Sequence, residues 1–188
     1  MVNRKIVITG APGTGKTSII NALEETGHKV HHEIIREMTD LAKKQLGGED
    51  FPSNPLVFVE DAMDFNRQLM EGRARQFISA AATDAPLNFF DRGIPDVLAY
   101  MDHFGQAYGS PFEKFATVHR YDRVFVTPPW EEIYITDPQR MESFQEAQAL
   151  HLALVGAYAR FGYRPLEVPR DSVGNRMEFI LDTLNIGQ

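Results

Sequence analysis

The fold of this chain is decided by one stretch of sequence, Gly10-Ala11-Pro12-Gly13-Thr14-Gly15-Lys16-Thr17. It matches the phosphate-binding pattern G-x-x-x-x-G-K-[ST] at every defined position. The apolar, β-branched run Ile6–Thr9 precedes it, and residues Thr17–Glu25 after it have the spacing of a helix. A buried strand, a glycine-rich turn and a helix in this order predict a P-loop. The alternative is a glycine-rich turn that carries a lysine by chance.

A P-loop binds phosphate through backbone N–H groups, which its glycines allow to point inward, and through the dipole of the following helix. In such a loop Lys16 would contact the β- and γ-phosphates and the Thr17 hydroxyl would bind Mg²⁺. The Asn-Lys-x-Asp pattern of G proteins does not occur in the sequence, which favours ATP over GTP. The predicted nucleotide-binding residues are Gly10, Ala11, Pro12, Gly13, Thr14, Gly15, Lys16, Thr17 and Ser18.

Length and composition limit the other classes of function. The 188 residues suit a single domain, 1–188, and the net charge of −7 argues against a broad nucleic-acid or anionic-lipid surface. The chain has no cysteine, which excludes disulfides, thiolate metal sites and a cysteine nucleophile. No signal peptide or membrane-length apolar run is visible, so we expect a cytoplasmic protein without membrane insertion. The oligomeric state stays open.

Short apolar runs alternate with helical patterns along the chain, which predicts a parallel sheet covered by helices on both faces. The five predicted strands are 6–9, 29–32, 87–90, 123–126 and 164–168. Ligands of such sheets bind beyond the carboxyl ends of the strands. The residues that follow each strand are therefore the candidates for chemistry.

Three charged residues lie directly after predicted strands. Glu33 follows the second strand and could accept a proton from an attacking hydroxyl, or it could cap its helix and pair with Arg36. Asp91 ends the only segment close to a Walker B pattern, 87–91, and is the candidate carboxylate for Mg²⁺. Arg92 could bind a transferred or acceptor phosphate. The alternative for Asp91 and Arg92 is a surface ion pair.

The segment at about 127–142 predicts a lid, because it combines three prolines and a tryptophan with several charges. Arg140 is the only basic residue of 127–140, and a lid of this kind delivers a cation to the phosphoryl group. The alternative is a mobile surface loop. Arg67, Arg73 and Arg75 are expected on a solvated face, although one of them could reach the acceptor pocket.

Together these motifs resemble the NadR/Ttd14-like AAA-domain ATPase family, whose members are P-loop proteins related to small-molecule kinases. The distinctive blocks are Glu33-x-x-Arg36, 89–96, and 128–130 followed by Asp137-x-x-Arg140. The resemblance implies a three-layer α/β sandwich with a five-stranded parallel sheet of order 2-3-1-4-5 and a lid. The NadR kinase domain has Asp-Thr-Asp where this chain has 91–93, which favours nucleoside or nucleoside-monophosphate kinases over nicotinamide riboside kinases.

The sequence therefore predicts a Mg-ATP-dependent phosphotransferase that acts on a small, nucleoside-like hydroxyl compound, whose identity the sequence leaves open. One alternative is a nucleotide-switched NTPase that regulates a protein or lipid partner, and another is a structural P-loop domain without turnover. The predicted catalytic residues are Lys16, Glu33, Asp91, Arg92 and Arg140, and the predicted Mg²⁺ ligands are Thr17 and Asp91.

Overall fold

A computed structural model describes residues 3–35, 61–134 and 143–185. Strands and helices alternate through these residues. The strands are β1 (Arg4–Gly10), β2 (Lys29–His31), β3 (Leu87–Asp91), β4 (Arg123–Thr127) and β5 (Leu166–Glu167). The α-helices are α1 (Lys16–Glu25), α2 (Ala62–Ala80), α3 (Ile94–His103), α4 (Ser110–Val118), α5 (Phe144–Arg160) and α6 (Val173–Asn185), and a short 3₁₀ helix spans Glu131–Ile133.

The strands form one parallel sheet in the order β2-β3-β1-β4-β5, which confirms the predicted topology. The central strand β1 pairs with β3, where Ile8 lies opposite Asp91, and with β4, where Gly10 lies opposite Thr127. Because parallel strands end at the same edge, this register brings the start of the P-loop, Asp91 and Thr127 together.

Helices cover both faces of the sheet, because successive residues of a strand point to opposite sides. One core contains Ile6 and Ile8 of β1 together with apolar residues of α1 and α6. The other contains Val7 of β1 together with apolar residues of α2, α3 and α5. This arrangement confirms the predicted three layers and leaves the carboxyl edge of the sheet open to ligands.

Some element ends differ from the sequence prediction. Helix α5 begins at Phe144, because Ser143 and Glu146 form a reciprocal capping box at its start. Strand β5 is only two residues long, because just Leu166 and Glu167 pair with β4. Of the predicted lid, 127–142, the structure describes residues 127–134, and residues 135–142 lie outside the described residues. Among the helices that the structure describes, none has the length and apolarity needed to cross a membrane.

Candidate functional site

The P-loop is fastened to the end of β4. Gly10 has φ 150°, and a Cβ atom at this position would lie 2.1 Å from Thr127 Oγ1 and 2.6 Å from the Thr127 carbonyl oxygen. Only glycine allows this close approach. Beyond it, the hydroxyls of Thr14 and Thr127 lie 2.7 Å apart and hold the middle of the loop against the same strand.

Lys16 is enclosed by the loop to which it belongs. Gly15 precedes helix α1 in the left-handed conformation, with φ 78°, and Lys16 is the first residue of the helix. The Lys16 ammonium group donates a hydrogen bond to the Ala11 carbonyl at 3.0 Å, and the residue is 7% exposed. Burial, helped by the nearby charge of Arg92, lowers the pKa of Lys16 to about 7. An incoming anion would reverse this shift.

A cleft of about 440 Å³ opens beside the loop, within the size range of small-molecule sites. Three chain segments form its walls: the P-loop with the start of α1, the segment after β4, and the segment after β5 that leads into α6. The lining residues are Gly13, Thr14, Gly15, Lys16, Thr17, Ser18, Trp130, Ile133, Asp171, Ser172, Val173 and Arg176. We call this space the nucleotide cleft.

Glu33 is held by two arginines from different parts of the chain. Its Oε2 accepts a hydrogen bond from Arg92 Nε at 2.8 Å, and its Oε1 accepts one from Arg73 Nη2 at 3.2 Å. Burial would raise the pKa of Glu33, but the charges of Arg92, Arg73 and Lys16 outweigh it and hold this pKa below its ordinary value. Glu33 is therefore ionised at neutral pH.

Arg73 corrects the sequence prediction of a solvated arginine face on α2. Arg67 and Arg75 are exposed as expected, whereas Arg73 is only 3% exposed. Besides its ion pair with Glu33, Arg73 donates from Nη1 to the Gly93 carbonyl at 2.8 Å. Its place on the helix explains the burial, since Arg73 follows the buried residue Met70 by three positions, within one helical turn.

Arg92 connects Glu33 and Asp96 to the P-loop. Its Nη1 donates to the Gly10 carbonyl at 3.1 Å and to Asp96 Oδ1 at 3.2 Å. Among the described residues Arg92 is the one non-glycine residue with a positive φ, 72°, a conformation that costs about 1–3 kcal/mol and is common at functional sites. Arg92 and Asp91 are both buried, so their predicted alternative as a surface ion pair is wrong.

Asp96, which the sequence analysis missed, anchors this arginine. The carboxylate is fully buried and accepts hydrogen bonds from Thr9 Oγ1 at 2.6 Å and from Tyr158 Oη at 2.5 Å. Burial would raise the pKa of Asp96, but Arg73 and Arg92 lower it further than burial raises it. The signal available in the sequence is weak, since Asp96 occupies the third position of α3, where an acidic residue commonly caps a helix.

These residues form one charged cluster at the carboxyl edge of the sheet. It contains three positive and three negative side chains: Lys16, Arg73, Arg92, Glu33, Asp91 and Asp96. Four of the five predicted catalytic residues belong to it, namely Lys16, Glu33, Asp91 and Arg92. The fifth, Arg140, lies outside the described residues, as does Arg36.

Sequence analysis also missed Arg176, which comes from α6 to the wall of the nucleotide cleft. Arg176 is 2% exposed and donates from Nη2 to the Thr14 carbonyl at 2.9 Å. Its Nη1 lies 2.7 Å from where a Cβ on Gly15 would stand, so the guanidinium group rests against the P-loop. The sequence does contain a signal, because Arg176, Ile180 and Leu184 recur every four residues along one buried side of the helix.

The chain matches a known protein family. The model of an AAA-domain family matches residues 5–176, which is most of the chain. No curated protein sequence matches the chain at a significant level.

Solved structures share the fold. A NadR protein in complex with NR has a TM-score of 0.67 at 20% identity, and a NadR protein in complex with NAD and AMP-PNP has 0.66 at 17%. These matches cover 96% of this chain but only 50% and 48% of the NadR chains, so the chain spans about half their length. Thymidylate kinase from Ehrlichia chaffeensis has a TM-score of 0.62 at 12% identity, covering 96% of this chain and 98% of the kinase.

Proposed function

The chain belongs to the AAA-domain family of P-loop proteins, and on this premise we propose that it is a Mg-ATP-dependent phosphotransferase acting on a small, nucleoside-like hydroxyl compound. The observation that carries the proposal is the charged cluster, which holds the ionised carboxylate of Glu33 beside the P-loop lysine. Nucleotide binding alone does not require a second set of buried charges next to the phosphate loop, and burying these charges costs free energy.

On the nucleotide side, the P-loop amides and Lys16 bind the phosphates, and the cleft beside the loop accommodates the rest of the nucleotide. Lys16 then exchanges its bond to the Ala11 carbonyl for phosphate oxygens. The electrostatic attraction between Lys16 and the phosphates is strong, because the buried ammonium group has already lost its water. The structural similarity to a NadR protein in complex with NAD and AMP-PNP supports this assignment.

Mg²⁺ fits the residues available at this edge of the sheet. The hydroxyl of Thr17 and the carboxylate of Asp91 are hard oxygen donors of the kind that Mg²⁺ prefers, and two protein ligands suffice because phosphate and water complete the shell. Among the described residues, no group of three or more His, Cys, Asp or Glu side chains forms a separate metal site. The ion would neutralise charge on the transferring phosphoryl group.

On the acceptor side, Glu33 orients the attacking hydroxyl. Its lowered pKa makes it a weak base but keeps it charged, so it accepts a hydrogen bond from the hydroxyl before the proton leaves. Phosphoryl transfer through a loose transition state asks mainly for positioning and charge stabilisation, so a weak, well-oriented base suffices. Arg73 and Arg92 fix both oxygens of Glu33 and thereby set its direction.

The acceptor is uncharged at the end that enters this site. Arg92 donates to Glu33, Asp96 and the Gly10 carbonyl, and Arg73 donates to Glu33 and the Gly93 carbonyl. Most of their donors are thus used inside the protein, and the buried Nε of Arg73 is a single donor without a partner among the described residues, so neither arginine presents an open two-donor fork for a second phosphate. This favours a nucleoside over a nucleoside monophosphate. Arg140 stays a predicted lid cation.

The test is release of ADP from Mg-ATP by the purified protein, measured with matched pairs of nucleosides and their 5′-monophosphates. We expect at least one nucleoside to stimulate ADP release while its monophosphate does not, and Lys16→Ala to remove the stimulation. Stimulation by a monophosphate alone would contradict the assignment of an uncharged acceptor. If no hydroxyl compound stimulates release, the phosphotransferase proposal is wrong.

One observation favours a second candidate, a nucleotide-switched binding protein. The segment after β4 touches the P-loop directly: the ring of Tyr134 lies against Gly13, where an added Cβ would be 2.8 Å away. Nucleotide exchange would therefore disturb this segment and could expose or cover a partner surface. Slow, acceptor-independent hydrolysis together with a nucleotide-dependent change in proteolysis of residues 127–142 would support this candidate.

A further inference from the structure

Arg176 is a buried arginine without an acidic partner among the described residues. The other two most buried arginines, Arg73 and Arg92, each pair with Glu33. In the part of the chain that the structure describes, Arg176 forms no such ion pair: its side chain donates to the Thr14 carbonyl, and its Nε has no partner. Burial lowers the pKa of Arg176, and no carboxylate counteracts that effect. Within the described residues, this positive charge is therefore buried without an acidic side chain that neutralises it.

Such a charge opposes folding, because the guanidinium group loses water and gains only one neutral carbonyl in return. A methionine would fill the same apolar stripe as Ile180 and Leu184 without this penalty. The side chain also lines the nucleotide cleft, together with Gly15 and Thr17 of the P-loop. A buried, uncompensated cation at the wall of a cleft is arranged to receive an anion from the cleft.

We propose that Arg176 is a second phosphate-binding group, which grips the nucleotide's phosphate chain from α6 while the P-loop grips it from the other side. This inference rests on the proposed nucleotide binding, although it does not require phosphoryl transfer. The bound phosphates supply the negative charge that the ligand-free protein lacks. Arg176 thus increases the affinity for phosphate and lowers the stability of the ligand-free fold.

The competing explanation is that Arg176 has a purely structural role, which we call a strut: it holds the P-loop in shape through its hydrogen bond to the Thr14 carbonyl and does not contact the ligand. The two explanations differ in what happens to the ligand-free protein. If Arg176 is a strut, its removal destabilises the fold. If it is a phosphate ligand, an apolar replacement leaves the ligand-free protein as stable or makes it more stable, because an unpaired buried charge disappears.

The experiment compares Arg176→Met and Arg176→Gln with the wild type, using Arg164→Met as the matched control because Arg164 is exposed. Calorimetric titration gives the Kd for ADP and for inorganic tripolyphosphate, which has no base or ribose. Thermal unfolding gives the Tm without ligand. Glutamine keeps a donor for the Thr14 carbonyl but has no charge, so it separates the strut from the phosphate ligand even if the methionine variant does not fold.

We expect both variants to weaken ADP and tripolyphosphate binding by about 10- to 100-fold, as for loss of one charge-assisted hydrogen bond. Arg164→Met should match the wild type, and the ligand-free Tm of Arg176→Met should not fall. Unchanged tripolyphosphate affinity in Arg176→Gln would overturn the inference. If the wild-type protein binds neither ADP nor tripolyphosphate, both this inference and the proposed nucleotide binding are wrong. If it binds ADP but transfers no phosphoryl group to any acceptor, only the proposed phosphotransferase activity is wrong.

Discussion

The two sides of the site are built in opposite ways. The proposed nucleotide side is mostly one continuous stretch, Gly10–Thr17, in which backbone groups would bind the phosphates and glycines set the loop conformation. The acceptor side is assembled from side chains far apart in sequence, with Arg73 on α2 and Asp96 on α3 meeting Glu33 after β2. A contiguous motif can be recognised from sequence alone, whereas an assembled cluster exists only in the folded chain.

The difference predicts how each side fails. A change in the P-loop should remove nucleotide binding and leave the fold intact, because backbone amides and one lysine act locally. A change in the members of the charged cluster outside the P-loop should disturb stability and catalysis together, because these side chains also neutralise one another inside the protein.

The largest expected effect is that of Lys16→Ala on ATP affinity. Lys16 would contact two phosphates, and two charge-assisted hydrogen bonds of roughly 1.5–3 kcal/mol each correspond to a loss of about 10²- to 10⁴-fold in affinity. Calorimetric titration of Mg-ATP measures it, with the exposed Lys114→Ala as control. Tight ATP binding by Lys16→Ala would contradict this contrast between the two sides, because nucleotide binding would then not depend on the P-loop lysine.

The next effect concerns stability, and it compares two arginines of the same helix. Arg73→Met leaves half of Glu33 unpaired in a buried setting and should cost about 3 kcal/mol of unfolding free energy. Arg67→Met breaks exposed ion pairs with Asp64 and Glu71, which solvent screens, and should leave the free energy of unfolding nearly unchanged. Urea denaturation measures both. Equal costs would mean that the buried cluster is not coupled to folding.

Glu33→Gln separates the two sides functionally. The amide keeps the shape but loses the charge that receives the hydroxyl, so turnover with the acceptor should fall by at least about 10²-fold while ATP affinity stays within a few-fold. ADP release and calorimetry measure the two quantities, and Glu113→Gln on the exposed side of α4 is the control. Unchanged turnover would favour the nucleotide-switched candidate.

The smallest effect is a proton taken up on binding. The pKa of Lys16 is about 7 in the ligand-free protein, and phosphates should raise it toward its ordinary value of 10.5. ATP binding at pH 8 should therefore take up most of one proton, and binding at pH 6 much less. Calorimetry in buffers of different ionisation enthalpy measures this, and equal uptake at both pH values would contradict the shift.

The sign of the accompanying stability change follows from the same pKa. Between pH 7 and 10.5 the unfolded chain holds a proton on Lys16 that the folded chain has released, so the ligand-free protein gains stability as the pH rises through this window. Lys16→Met should lack this gain.

The sequence predicted the sheet and its order, the P-loop and four residues of the charged cluster, because these follow from contiguous patterns and from the resemblance they support. It did not predict Arg73, since Arg67, Arg73 and Arg75 look alike until the buried side of α2 is known. Arg176 was missed for a similar reason, because a charged residue among apolar residues is usually taken as evidence that this side of the helix is exposed. An arginine that keeps helical register with apolar residues is the signal to look for.

The wall of the nucleotide cleft contains an intrinsic fluorescent probe, Trp130. Trp130 is the only tryptophan in the chain, and it stands in the wall of the nucleotide cleft, three residues after the threonine that touches the P-loop. All indole emission therefore originates beside the ligand, so filling the cleft should change its intensity or wavelength without any added dye. Stopped-flow mixing of the unmodified protein with nucleotide would then follow the binding and release of the nucleotide in real time.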